Sequence, residues 1–422
     1  MSLTDPVFQD LHYTTRFFID YFSKRVCHLL VLRDSTENPY RAMIALAGLF
    51  PFVPHAITAI ASCHLMHSVT GSTITSAESS HLSAPTDQSS LVSIPDSIQK
   101  HYIMSKHQCL GLLSTTINDP VRRKDYSTLA TVTLLTILDL FEKGSGSWTV
   151  HIEGAKMLLG QHQTTYNLAQ QSGFRRLVGD IAMFEVLGST LCRPGALASS
   201  PRWQFLLAML EDCYIVGVGC PKEILLSIGS FAMQRRGDST PSATSGNLER
   251  GSLQETLRRL RSFDVQAWAT TPVNQRHSEP SASTDDLLHV GHIWKLTAEI
   301  YGFHVLSTLK QSVTDLQPPT LSSVIEEFGS LERNDEELLK CLVWPAFVVG
   351  AASTHWCQRQ WAYQMCNKIW EVTWSANAMN AKLVLADLWD KQDLKSSGNV
   401  ADADGWDWIT ELSKLDDFWL FA

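Results

Sequence analysis

The chain has 422 residues, 44% hydrophobic, 9% aromatic and 18% charged, which excludes the polar, highly charged composition of disordered chains and leaves enough apolar surface for a large core. Its 34 lysines and arginines stand against 43 aspartates and glutamates, a formal charge of -9. That balance argues against a surface that grips nucleic acid by itself, since neutralising phosphates takes clustered cations.

Helical periodicity dominates. From Val7, apolar Leu11, Phe18, Phe22, Val26 and Leu29 or Leu30 share one face and predict a first helix, with Asp10, Asp20 and Lys24 turned elsewhere. Asn38 before Pro39 reads as an N-cap with a first-turn proline, and Pro51 and Pro54 separate helices over 42–50 and 55–67. The Ser/Thr/Ala/Pro stretch near 70–94 lacks apolar period and is expected to be a mobile linker, as are 237–251 and 270–285. Between them the pattern predicts helices over 97–117, 126–142, 148–159, 168–191, 203–214, 222–235, 253–268, 286–311, 321–328, 336–373 with interruptions, and 378–389. No runs of strict alternation bounded by hairpin turns occur, so the expected class is all-α, an irregular multi-helix bundle or solenoid-like array forming one large domain over 1–422.

Nine cysteines, odd in number and irregularly spaced, read as buried thiols of a reducing compartment. Asp5, Asp10, Arg16 and Asp20 interrupt what a signal peptide would keep apolar, and the most apolar windows, 128–141 and 342–357, are too short to span a bilayer. The expectation is an intracellular, soluble protein without a membrane role.

Catalytic and metal signatures fail one by one. His64 and His67, and His289 and His292, are three apart, yet no HExxH pattern and no CxxC pair accompanies them, so they read as core or solvated histidines. Gly217, Gly219 and Lys222 miss the third glycine of GxGxxG. No Walker lysine or GxSxG elbow occurs, and Asp285 with Asp286 lacks the last acid of DDxxD because His289 stands there. No enzyme, metal or cofactor is expected. The basic clusters, Lys24 with Arg25, Arg122 to Lys124, Arg235 with Arg236, and Arg258, Arg259 and Arg261, are short and read as solvated helix faces or ends.

Several separated stretches, taken in order, resemble the regulatory domain of fungal-specific transcription factors. They are Asn38-Pro39-Tyr40-Arg41 with Pro54 to His64; Trp148 to Leu159, which contains His151, Gly154 and Ala155; Gly219-Cys220-Pro221; Ile300-Tyr301; Trp344-Pro345 through Gly350, Ala351 and Ala352, with Arg359; and the tryptophan-bearing helix ending at Trp389. The resemblance spans nearly the whole chain. It implies an all-helical domain of a nuclear transcription regulator, of the kind that normally follows a binuclear zinc cluster. Cys213 and Cys220 do not make that cluster, since Leu210 stands where another cysteine would be needed. Either a zinc-cluster exon lies upstream or the regulator reaches DNA only indirectly, through a full-length zinc-cluster relative, another protein partner or self-association. A helical enzyme or scaffold of a fungal biosynthetic pathway is the alternative.

The same residues have packing roles of their own. Gly154 and Ala155 form a small-residue notch for a second helix, as do Gly350 to Ala352, and Trp344 before Pro345 fixes a helix start. Arg41 is placed to pair with a buried acid or a helix C-terminus. A small apolar effector would bind near Trp344, Ala351 and Ala352, with a filled core as the competing reading.

Overall fold

Asn38 starts the helix pair that the sequence marks: its Oδ1 accepts from the Tyr40 amide at 2.9 Å and Pro39 occupies the first helical position. The computed structural model describes residues 8–35, 38–79, 96–161, 172–193, 219–235, 246–271, 284–309, 316–397, 406–415 and 418–422. The first helical run changes winding rather than continuing uniformly to Leu30. It passes from α1 (Tyr13–Tyr21) through a π-helical turn (Phe22–Val26) to a 3-10 turn (Cys27–Leu30). Then come α2 (Pro39–Ile44), a 3-10 turn (Ala45–Gly48) and α3 (Phe52–Ser79).

Four further helices complete the N-terminal half: α4 (Asp96–Asn118), α5 (Tyr126–Glu142), α6 (Trp148–Gln161) and α7 (Ser172–Ser189). The rest comprises α8 (Lys222–Gln234), α9 (Gly246–Ser262), α10 (Val265–Ala269), α11 (Thr284–Thr308), α12 (Leu321–Asn334), a 3-10 stretch (Glu336–Cys341), α13 (Val343–Ala352), α14 (Trp356–Thr373), α15 (Ala376–Ser397) and α16 (Trp408–Leu412). The fold is all-α. Among the described residues there is no strand, only an isolated bridge between Ser145 and Trp419, and no helix is long and apolar enough to cross a membrane. The helix expected over 203–214 lies outside the described residues.

Helix α5 is the central rod, buried from Ser127 to Phe141 and packed against α3, α6, α7 and α15. A helix sunk on every side must satisfy its polar residues internally. Thr131 and Thr133 do so by donating to the carbonyls of Ser127 and Leu129, four residues back, at 2.8 and 3.0 Å. In the second half α11 packs on α8, α12 and α13, while α13 packs on α14 and α15. The buried apolar residues form a contiguous cluster from Phe8 to Phe421.

Three expectations require correction. Helix α3 continues through the start of the 70–94 linker to Ser79, and α9 and α11 begin inside the linkers expected over 237–251 and 270–285. For α3 the cause is tertiary: Gly71 lies against the Trp374 ring, and Thr70 Oγ1 donates to the Met66 carbonyl at 2.9 Å. The remainder of those linkers lies outside the described residues.

The notch at Gly154 is the second correction, because a methyl built there meets nothing. The close approach of α6 is made by Trp148, which fits over Gly188 of α7 so tightly that a methyl on Gly188 would overlap its ring. Trp148 Nε1 donates to the Phe418 carbonyl at 2.8 Å, tying the last residues of the chain to the same place.

The third correction concerns Trp344. It stacks on Trp294 with ring centroids 5.6 Å apart and an interplanar angle of 7°, takes Tyr301 edge-on at 5.8 Å, and donates through Nε1 to Thr190 Oγ1 at 2.8 Å. It is fully buried, and neither it nor Ala351 or Ala352 lines any of the hollows described below. Gly350 does sit in a close contact, facing Ala362 and Leu385.

A buried ion pair locks α6 to α7. Lys156 Nζ donates to Glu153 and Glu185 carboxylates at 2.6 Å each, with Lys156 and Glu185 both buried. Burial pushes the Glu185 carboxyl up to about 7 although Lys156 opposes the shift.

Two stability predictions follow from these contacts. Gly188→Ala is expected to cost roughly 1–3 kcal/mol by overpacking against Trp148, while Gly154→Ala is expected to be neutral or to gain up to about 1 kcal/mol in helix propensity. Urea unfolding of the two variants measures both, and equal midpoints would remove the Trp148 contact as the constraint. Lys156→Met strands the Glu185 carboxyl in the core and is expected to cost about 3 kcal/mol, with most of it recovered when Glu185→Leu is added. An additive double variant would contradict the pairing.

Candidate functional site

Two hollows meet where the first helical run, α3, α5 and the end of α14 converge. The outer one is a cleft of about 440 Å³ lined by Tyr21, Arg25, His28 and Leu29 from the π and 3-10 turns and their approach, by His64, Leu65, Ser68 and Val69 of α3, and by Val372 and Trp374. The inner one, about 60 Å³, is walled by Leu29, Leu30, Ile137, Leu140, Phe141, Met183, Phe184 and Val343, with Tyr40, Asp180, Lys340, Thr373, Ser375 and Asn377 as polar members. Leu29 lines both, and Thr373 lies in sequence between the two cleft residues of α14's end. A third hollow of about 350 Å³ lies elsewhere, between α8 and α9, around Glu223 and Arg259.

The local sequence explains the walls. Arg41 holds the turn below the cleft: its guanidinium bonds the Asp34 carboxylate and donates to the Ser23 carbonyl at 2.7 Å. Asn38 Nδ2 adds bonds to the Cys27 carbonyl at 2.9 Å and to Asp34 at 2.8 Å. The Asn38-Pro39-Tyr40-Arg41 motif therefore clamps the segment that carries His28 and Leu29. Its tyrosine reaches the inner cavity, where Tyr40 Oη donates to Asp180 Oδ2 at 2.8 Å.

Trp374 closes the other side in an unusual backbone state. It caps α14 in the left-handed region, at φ 46° and ψ 34°, a conformation that costs a bulky residue roughly 1–2 kcal/mol and is normally left to glycine. Among the described residues it is the one non-glycine with positive φ. Three contacts offset the strain: its ring lies on Gly71, packs edge-on to Trp370 at 5.5 Å, and its carbonyl accepts from His67 Nδ1 at 3.1 Å. Since a carbonyl only accepts, His67 carries its proton on Nδ1.

His64 is the most constrained polar group of the cleft. It is 4% exposed, its Nδ1 lies 2.8 Å from Tyr21 Oη, and its Nε2 is buried with no hydrogen-bond partner among the described residues. Burial, reinforced by His67, His28 and Arg25, pushes its pKa down to about 3, so the ring is neutral at physiological pH. Burial first and Lys340 second lower His28 as well. In the inner cavity Lys340 Nζ is occupied by the His28 carbonyl at 2.6 Å and by Glu337 at 2.8 Å. Asn377 Nδ2 donates to the Ala422 carbonyl at 2.9 Å, but its Oδ1 is buried and unpaired among the described residues.

Of the residues singled out in the sequence, the structure brings Asn38, Pro39 and Arg41 to this site as its frame and places Arg25 and His64 in the cleft wall, while the other motif residues lie elsewhere. His151 lies 3.5 Å from Asp139, and burial lowers the imidazole to about 4 and raises the carboxyl to about 7. Gly219, at φ 70° against Leu32, and Pro221 begin α8. Ala155, Trp344, Pro345 and Gly350 belong to packing, and Gly154 faces open space. Sequence reasoning missed Tyr21, His28 and Trp374, whose only local signal was a non-glycine residue where α14 ends. Among the described residues no group of three or more His, Cys, Asp or Glu side chains is placed to hold a metal ion.

With the fold and the clamp at Asn38 and Arg41 in place, comparison with known proteins identifies the lineage. The sequence model described as fungal specific transcription factor domain matches residues 16–421. The chain belongs to that family. It is also similar to the acriflavine sensitivity control protein acr-2 of Neurospora crassa, 26% identical over 437 residues that cover 98% of this chain and 68% of that protein. No solved structure matches it. The family match begins within α1 and ends on Phe421, so both the cleft and the Trp148–Phe418 tie fall inside it.

The buried imidazole makes a pH prediction. His64 titrates near 6.5 when unfolded and near 3 when folded, so the unfolded chain binds the extra proton between those values. Its contribution is fully present above pH 6.5 and is lost as pH falls toward 3. His64→Gln is expected to flatten the acid side of the stability curve by up to about 1.4 kcal/mol per pH unit. Denaturant midpoints at pH 7 and pH 5 measure it, and parallel curves for the two proteins would mean that the ring is not held neutral.

Proposed function

We propose that this chain regulates transcription in the nucleus through protein partners, reaching DNA indirectly through a full-length zinc-cluster regulator, another DNA-bound protein or a second copy of itself. The coarse part, membership of a transcription factor family, rests on the match over residues 16–421. The indirect route is supported by what the basic clusters do in the fold.

Arg235 is 5% exposed and spends its guanidinium on the carbonyls of Ser189, Thr190 and Cys192, where α7 ends. Arg261 bonds Glu299 at 2.8 Å and the Gln317 carbonyl, Arg258 faces Glu255, Arg122 faces Asp119, and Lys24 pairs with Asp20 at 2.8 Å. Cations already committed to neighbouring acids and helix ends make a poor phosphate-binding stripe, which needs several free charges on one face.

The test pairs two assays. A mobility shift with the isolated chain at low salt is expected to show no sequence-specific, salt-sensitive complex. The chain tethered to a foreign DNA-binding domain is expected to change reporter output several-fold. Specific DNA binding by the isolated chain would overturn the indirect route, and a silent tethered reporter would overturn the regulatory reading.

A further inference from the structure

We propose that the outer cleft is a binding site for an amphipathic organic anion, its apolar body laid against Leu29, Leu65, Val69 and Trp374 and its carboxylate or sulfonate at the Arg25 rim. The proposal deepens the regulatory reading above and rests on it for its consequence, since such a ligand would be the effector of the domain.

Four observations converge. A hollow of about 440 Å³ falls in the range of about 300–1,000 Å³ typical of small-molecule sites, and like them it is mostly apolar with a few polar groups. Its charge has one sign: no carboxylate lines it, and Arg25, exposed at the rim, makes no ion pair among the described residues. The nearest acid on the same helix, Asp20, is taken by Lys24 at 2.8 Å, and exposed Glu371 lies beside Val372 without lining the cleft. A buried polar nitrogen, His64 Nε2, has no partner among the described residues, an arrangement that costs stability unless a ligand or water supplies one. The wall opposite is Trp374 in its left-handed backbone state, and backbone strain of this kind concentrates at functional sites.

The chemistry then sorts ligands. Neutral His64 offers its unpaired Nε2 without charge, so charge selection falls to Arg25. A guanidinium facing an anion at the mouth of an apolar cleft makes a charge-assisted bond that a neutral ligand lacks and a cation is repelled from. A nucleic acid would need several such cations and finds one.

The experiment uses the full chain and three probes of one shape: 1-naphthoate, 1-naphthalenemethanol and 1-naphthylmethylammonium, each titrated calorimetrically. Naphthoate is expected to bind about tenfold more tightly than the alcohol, with the ammonium weakest. Arg25→Gln, an exposed position, is expected to bring acid and alcohol within about twofold without moving the melting temperature. Val69→Trp, which fills the cleft, is expected to abolish binding of all three, whereas Ser230→Trp in the hollow between α8 and α9 is expected to leave binding intact. Equal affinities for the three probes, no naphthoate binding at millimolar concentration, or affinity unchanged by Arg25→Gln and Val69→Trp would overturn the site. The tethered reporter separates the two readings: lost binding with an active reporter sinks the cleft alone, and intact binding with a silent reporter sinks the regulatory role alone.

Discussion

The stack of Trp344 on Trp294 holds the second half of the molecule in register, and the inner cavity depends on it at one remove. Trp344 is the second residue of α13, so its fixed indole sets where that helix begins. Its Nε1 bond to Thr190 ties the helix to the end of α7, where Arg235 also binds the carbonyls of Ser189, Thr190 and Cys192. Val343 and Lys340 precede this anchor directly and form part of the inner cavity wall. A stacked pair of large rings gains from both area and geometry, and through the bonds around it that order passes to its neighbours.

Charged groups inside the fold add specificity that apolar packing alone leaves loose. Lys156 joins Glu185 across 29 residues, Tyr40 joins Asp180 across 140, and Arg33 joins Asp286 and Asp335 across 253 and 302. The Lys156–Glu185 pair is the costliest to break from one side, since loss of the lysine leaves the fully buried carboxyl without its partner. Together these pairings allow few alternative arrangements of the first run against α7, α11 and the 3-10 stretch before α13. That restriction matters where the winding changes from α to π to 3-10 between Tyr21 and Leu30.

Local signals were legible in the sequence and long-range ones were not. The Asn38-Pro39 cap, the largely apolar stretch of α5 and the all-α class all rest on interactions within a few residues, and each can be read from spacing. The continuation of α3 to Ser79 could not, because Gly71 is held by a tryptophan 303 positions later and a Ser/Thr-rich stretch carries no apolar period of its own. Gly154 shows the converse error: a small residue marks a notch only if something enters it, and the residue that receives a ring is Gly188, one helix away. In the same segment the informative residue was Lys156, which composition marks as surface and the Glu185 carboxylate keeps inside.

The cleft sits where periodicity gives least guidance, and there is a physical reason for that. Regular helices pack with few voids because their side chains repeat. Space opens where the repeat is broken, and here two breaks face each other: the π and 3-10 turns after Tyr21, and the left-handed cap at Trp374. Neither break has a sequence signature of the glycine or proline kind, since Phe22 to Leu30 reads as ordinary helix and a tryptophan stands where glycine is usual. The hollow is therefore a product of tertiary constraint on both sides. Arg41 and Asn38 hold one break open, while Gly71 and His67 hold the other. Of these four, only the pair at Asn38 and Arg41 lies in a motif that the sequence makes visible, so the frame of the site could be read before its contents.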